Sequence, residues 1–201
     1  MISISWKPKY IARCGDARIH LNEKVIQLFY NDGIVTMGHG LNQLVEAPPE
    51  YRSRVIVIGE GLGGITESLY SHLRNRPVII DPANYGELQE VLEKGEEWIR
   101  QEGLIDVEVG MKLQSSLERS RIYSDSEKVH HIPFCLDKAI EMYPELRCSA
   151  DYVVDNWAAF YYSNNRERTL MQERSLLRNS QQSRLCLAPG DLEFGPISLL
   201  N

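Results

Sequence analysis

From residue 55 onward the apolar positions alternate between two rhythms. Val55 to Ile58 is an unbroken run of β-branched residues, the pattern of a parallel strand covered on both faces. From Gly64 to about Asn75, Ile65, Leu69 and Leu73 recur every four positions, which predicts a helix with one apolar stripe. Pro77 ends that helix, and Val78-Ile79-Ile80 returns as a second strand. Pro82 suits a helix start, and the next helix is expected to run to about Glu102 with Leu88, Val91, Leu92 and Ile99 inward and Gly103 as its stop. Tyr152 to Val154 reads as another strand. Asn164 with Glu167 three residues later predicts an N-capped helix to about Asn179, and Arg184 to Phe194 reads as a turn followed by a strand. Strands alternating with helices predict an α/β fold.

Two stretches resist this pattern. In residues 1–50, Leu21, Val25, Leu28 and Phe29 would form a helical stripe. Lys24 to Tyr30, the turn Asn31-Asp32-Gly33 and Ile34 to Met37 fit a β-hairpin better, because that turn accommodates positive φ. Pro48-Pro49 marks the join, so residues 1–50 are expected to form an N-terminal, β-rich extension and residues 51–201 the main domain. Gly103 to Lys128 is polar and unpatterned, with Ser115-Ser116 and Ser124 to Ser126, and reads as a surface loop.

The candidate chemistry lies where the first strand meets its helix. Gly59, Gly61 and Gly63 permit a tight turn and let a ligand approach the backbone closely. Asp81, at the carboxyl end of the second strand, is placed to accept both hydroxyls of a ribose. Together they describe a nucleoside-binding βαβ unit. Two ligand classes share this spacing. Gly59, Gly61 and Gly64 fit the G-x-G-x-x-G of flavin and nicotinamide dinucleotide sites, and Gly59, Gly61 and Gly63 fit the G-x-G-x-G of S-adenosylmethionine sites. Glu60 discriminates between them: inside the turn it would repel a pyrophosphate at a helix N-terminus that attracts anions, whereas a phosphate-free, cationic sulfonium ligand tolerates it.

With this glycine turn, the acid after the second strand, Ala150-Asp-Tyr-Val-Val-Asp-Asn-Trp-Ala159 and the later Glu173 with Arg184-Leu-Cys-Leu-Ala-Pro-Gly-Asp-Leu-Glu-Phe194, the chain resembles the class I S-adenosylmethionine-dependent methyltransferases over about residues 51–199. The resemblance implies a Rossmann-like, doubly wound and mostly parallel sheet, with S-adenosylmethionine as cofactor. It assigns Gly59, Gly61 and Gly63 to the methionine end and Asp81 to the ribose, and Glu60 inside the turn joins them as a cofactor-binding candidate. It also implies Val129 to Pro133 as a third strand and puts Asp155 and Asn156 at the mouth of the fourth, where they would orient an acceptor or take its proton. In methyltransferases of amino groups this place often reads Asn-Pro-Pro-Tyr; here Trp157-Ala158-Ala159 follows Asn156, which points away from base or amide acceptors and leaves a small molecule as the default. Trp157, Phe160, Tyr161 and Tyr162 are candidates either for an acceptor pocket or for plain core packing. Two other readings stand beside this one. The first is an FAD- or NAD-dependent oxidoreductase using Gly59, Gly61, Gly64 and Asp81. The second is a non-catalytic interaction module of methyltransferase fold, favoured by Asp191 at a position where the family usually has glycine and by the little chain that follows.

Composition narrows the partners. A formal net charge of -6 argues against a nucleic-acid binder that gains affinity by neutralising phosphates. With neither a long apolar run nor a charged-then-apolar leader, a cytoplasmic location without membrane association is expected. Cys14, Cys135, Cys148 and Cys186 are scattered and form no C-x-x-C pair, so no metal is expected and reduced thiols are. His130 and His131 are adjacent and would face opposite ways on a strand, which leaves one of them able to reach the site. A homo-oligomer is compatible with the composition.

Overall fold

The computed structural model describes residues 2–9, 14–21, 24–31, 53–70, 73–102, 107–156, 158–188 and 192–194. In chain order its elements are β1 (Ile2–Lys9), β2 (Cys14–Leu21), β3 (Lys24–Asn31), β4 (Val55–Ile58), α1 (Ile65–Tyr70), β5 (Val78–Ile80), α2 (Tyr85–Glu102) and α3 (Val107–Tyr123). There follow β6 (His130–Ile132), α4 (Leu136–Met142), a 3-10 turn (Pro144–Leu146), β7 (Tyr152–Asn156), α5 (Ala159–Tyr162), α6 (Arg166–Leu176), β8 (Arg184–Ala188) and β9 (Leu192–Phe194). They fall into two compact units, one of Met1–Val35 with Asn84–Ser124 and the other of Thr36–Ala83 with Asp125–Asn201.

The first unit contains an antiparallel meander, β1-β2-β3. The N-terminal segment is β-rich as expected, but the partner of β3 is β2, with Cys14 opposite Asn31 and Leu21 opposite Lys24. The expected partner, Ile34 to Met37, lies outside the described residues. The unit also holds α2 and α3, and here the structure corrects the sequence reading, because most of the expected loop over 103–128 is the helix α3. Leu113, Ser116, Leu117, Ser120 and Tyr123 are buried at helical spacing. Two of those five positions are serines, and the hydroxyl of Ser120 donates to the Leu117 carbonyl at 2.8 Å, so a packed face carried too few apolar residues to announce itself. Tyr85 and Tyr123 pack edge to face with centroids 5.3 Å apart.

The second unit is built on a six-stranded sheet ordered β6-β5-β4-β7-β8-β9. Its first five strands are parallel, and β9 returns antiparallel to β8. Arg184 to Phe194 is therefore a strand, a connection and a strand rather than a turn and a strand. Side chains of β4 alternate between two apolar layers. Ile56 and Ile58 join Ile80, Ile132, Val153 and Leu185 with Leu136, Ala139 and Ile140 of α4 and Leu176 of α6. Val55 and Val57 turn the other way, onto Leu69 and Ile65 of α1. Helices on both faces of a mostly parallel sheet make this a Rossmann-like, doubly wound α/β fold. The chain steps outward from β4 to β5 and β6, then crosses back to β7 and β8 on the far side of β4. That reversal makes the carboxyl ends of β4, β5 and β7 the edge at which this architecture receives ligands.

Candidate functional site at the carboxyl edge of the sheet

The glycine turn leaves β4 with Gly59 at φ +67° and Gly61 at φ +52°, both in the left-handed region that glycine occupies without steric penalty. A Cβ built at Gly61 meets nothing within 4 Å, so the turn is open on that side. The Gly59 N–H donates to the Ile80 carbonyl at 2.9 Å, and the Gly63 N–H to the Glu60 carbonyl at 2.8 Å. The first bond ties the turn to the end of β5 and the second closes the turn on itself.

Two acidic side chains complete the crook. Asp81 is 6% exposed. One of its oxygens accepts from the Gly61 N–H across the crook at 2.7 Å, and the other accepts from the Ala83 N–H at 2.7 Å. A carboxylate has about four acceptor positions, so capacity remains for further donors. Its backbone is held as well. The Asp81 N–H donates to the Ile132 carbonyl at 3.2 Å, and Nε2 of His131 lies 2.8 Å from the Asp81 carbonyl. A carbonyl only accepts, so that imidazole nitrogen carries the hydrogen. Of the two histidines, His131 thus reaches the site through the backbone, while His130 is exposed. Glu60, 2% exposed, turns back onto α1, where its carboxylate accepts from the Thr66 N–H at 3.1 Å. It occupies a first-turn donor that a phosphate would otherwise use.

The expected strand at Tyr152 to Val154 extends to Asn156. Asp155 is 1% exposed, and its carboxylate accepts from the N–H groups of Ala158 and Phe160, each at 2.6 Å. It therefore holds the start of α5. The side chain of Asn156, and Trp157, lie outside the described residues. Phe160 packs against the apolar core, whereas Tyr161 and Tyr162 are exposed.

Sequence reasoning missed the role of Glu173. It sits on α6 with Thr169 and Leu176 on the same buried face and is 0% exposed. Neither of its oxygens meets a hydrogen-bond donor among the described residues. Burial first, and then the neighbouring Asp155 carboxylate, push its pKa up to about 10. The available signal was an acid placed three residues from both Leu170 and Leu176. Among the described residues no group of three or more His, Cys, Asp or Glu side chains is placed to hold a metal ion, and no helix is long and apolar enough to cross a membrane.

No family model matches the chain, and no curated protein does. Solved structures similar to it include the YcgJ protein from Bacillus subtilis, 15% identical with a TM-score of 0.43 over 74% of this chain and 49% of that one. A protein from Listeria monocytogenes proposed to be an S-adenosylmethionine-dependent methyltransferase is 14% identical, with a TM-score of 0.42 over 74% and 52% of the two chains. Spermidine synthase from Thermotoga maritima is 10% identical, with a TM-score of 0.45 over 92% and 55%. The chain spans about half the length of these structures. Its fold assignment rests on its own strand order and register.

Proposed function

We propose that the crook between β4 and β5 binds S-adenosylmethionine and that the protein moves a methyl group from it to a small-molecule acceptor. The observation that carries this reading is the charge of the crook: two buried carboxylates, Glu60 within the glycine turn and Asp81 at the end of β5, flank Gly61, where an added Cβ would meet no described residue within 4 Å. A dinucleotide would bring its pyrophosphate to the N-terminus of α1, where the Glu60 carboxylate already takes the Thr66 N–H. A nucleoside with no phosphate and a positive charge suits the same place.

When bound, such a cofactor supplies a methyl group already activated by a sulfonium, so the protein contributes mainly alignment. Asp81 offers its remaining acceptor positions to the ribose hydroxyls while its bond to Gly61 keeps the turn closed over the end of β5. Gly59 and Gly61 give the turn its shape, and Gly61 leaves room beside it. His131 holds the Asp81 backbone in place. The exposed tyrosines 161 and 162 lie on the helix that follows β7 and are candidates to meet an acceptor.

Parallel calorimetric titrations with S-adenosylmethionine, S-adenosylhomocysteine, NAD and FAD test the reading. Binding of the two sulfur nucleosides alone is the expected result, and Gly61→Arg should abolish it by filling the open side of the turn. Binding of FAD or NAD would favour the oxidoreductase. No binding by a folded protein would leave the interaction module.

A further inference from the structure

The carboxyl end of β7 carries a second acidic pair, Asp155 and Glu173, that the ligand reading does not use. The two side chains differ in what surrounds them. Asp155 is supplied with donors, one backbone N–H on each oxygen. Glu173 is fully buried, with no donor on either oxygen among the described residues, and shares its helix face with Thr169, Leu170 and Leu176. A carboxylate in that position would be uncompensated, whereas a carboxylic acid has one hydrogen to give, and the facing group is an acceptor.

We propose that Glu173 is a positioning residue of the ligand edge: as a neutral acid it donates its hydrogen to Asp155, holding that carboxylate in the orientation that anchors α5 through Ala158 and Phe160. The chain of contacts runs from α6 through Glu173 to Asp155, and from Asp155 to the first turn of α5. Asp155 on β7 is the titratable group that faces Glu173. The arginines of α6 itself, 166, 168 and 174, do not act on it, and α5, which packs against α6, contributes only the exposed Tyr161 and Tyr162. Burial together with the Asp155 charge keeps the proton in place far above the ordinary carboxylate range.

This also defines what Asp155 can do. The Asp155 carboxylate has its lone pairs committed to two backbone donors and, on this proposal, to the hydrogen of Glu173. It is suited to fixing the geometry of α5, and a proton leaving an acceptor would have to go elsewhere. The location of the proton does not depend on any ligand. Only its bearing on an acceptor rests on the function proposed above.

The test uses the whole chain labelled with ¹³C at the glutamate carboxyls, with Glu173→Gln to assign the resonance. The Glu173 carboxyl is expected to remain at its protonated shift at neutral pH. A deprotonated shift for Glu173 at neutral pH would overturn the proposal. Backbone amide exchange at Ala158 and Phe160 gives the second readout: several-fold faster in Glu173→Leu, which has no hydrogen to donate, and restored towards wild type in Glu173→Gln, which has. Equal exchange in both variants would overturn the positioning role. Should Glu173→Leu fail to fold, the wild-type resonance still decides the question. Titration of the wild type with S-adenosylhomocysteine, run alongside, judges the ligand reading separately.

Discussion

Two aspartates stand at the carboxyl ends of β5 and β7, the strands on either side of β4, and their surroundings differ. Asp81 closes β5 and Asp155 closes β7; each is nearly buried, and each accepts two backbone N–H groups. One donor of Asp81 comes from another connection, the Gly61 turn, so the carboxylate bridges two loops beside a glycine whose added Cβ would meet no described residue within 4 Å. Both donors of Asp155 come from the few residues that follow it, and behind it lies Glu173. An acid at the end of a strand is therefore not in itself a ligand residue. Whether its donors are local, and what stands behind it, separate a binding group from an anchor.

The sharpest way to break this comparison is to remove the anchor. Asp155→Ala leaves two N–H groups and the Glu173 hydrogen without an acceptor in a buried place, and should cost about 4 kcal/mol of stability at neutral pH in urea unfolding. A loss below about 1 kcal/mol would mean that water satisfies these groups and that the pair is not closed.

Glu173→Gln comes next and has the opposite sign. In the folded protein the Glu173 pKa is raised from 4.5 to about 10, so between those values the folded state holds a proton that the unfolded state has released. Stability from this group is complete below pH 4.5, declines by about 1.4 kcal/mol per pH unit as pH rises, and levels off above about 10. By pH 7 the wild type has lost roughly 3 kcal/mol on this account. The glutamine variant has nothing to titrate there, so it should be the more stable protein at pH 7 to 9 and lose its advantage near pH 4. Parallel unfolding curves from wild type and variant across that range would remove the neutral acid from the account.

The comparison also marks what the sequence could say. The βαβ unit was legible because Val55 to Ile58, the glycines and Val78 to Asp81 are contiguous and act through local geometry: two strands, a turn requiring positive φ, and an acid at a strand end. Which way the acids point was not. Glu60 turns back onto Thr66, and Asp81 crosses to Gly61, twenty residues away. The partnership of Asp155 with Glu173 joins a strand to the helix two elements later, and no local rhythm marks it. In α3 the buried serines 116 and 120 hid the stripe, since a close-packed face needs small residues as much as apolar ones. The N-cap of α6 was placed one residue early; Asn165, not Asn164, accepts from the Arg168 N–H.

On the binding side the expected effects are smaller. Asp81→Ala frees the Gly61 and Ala83 N–H groups to water at the open side of the crook. The stability loss should be about 2 kcal/mol, about half that of Asp155→Ala. Affinity for S-adenosylhomocysteine should fall by roughly 1–3 kcal/mol with the ribose contact. Unchanged affinity, measured by calorimetry, would move the ligand away from β5 and erase the distinction between the two aspartates.

Gly61→Ala makes the finest cut. At φ +52° an alanine pays the left-handed penalty of about 1 kcal/mol. Because its methyl would meet no atom of the described residues within 4 Å, no packing loss adds to this. If the space beside Gly61 is where the nucleoside lies, the same methyl group enters the ligand's volume. Binding should then weaken much more than folding does, by tenfold or more for about 1 kcal/mol of stability. A variant that loses stability and affinity in equal measure would show a glycine kept only for its backbone angle. A variant that loses affinity far beyond stability would place the ligand on the open side of the turn, with Asp81 beside it and Asp155 apart from it.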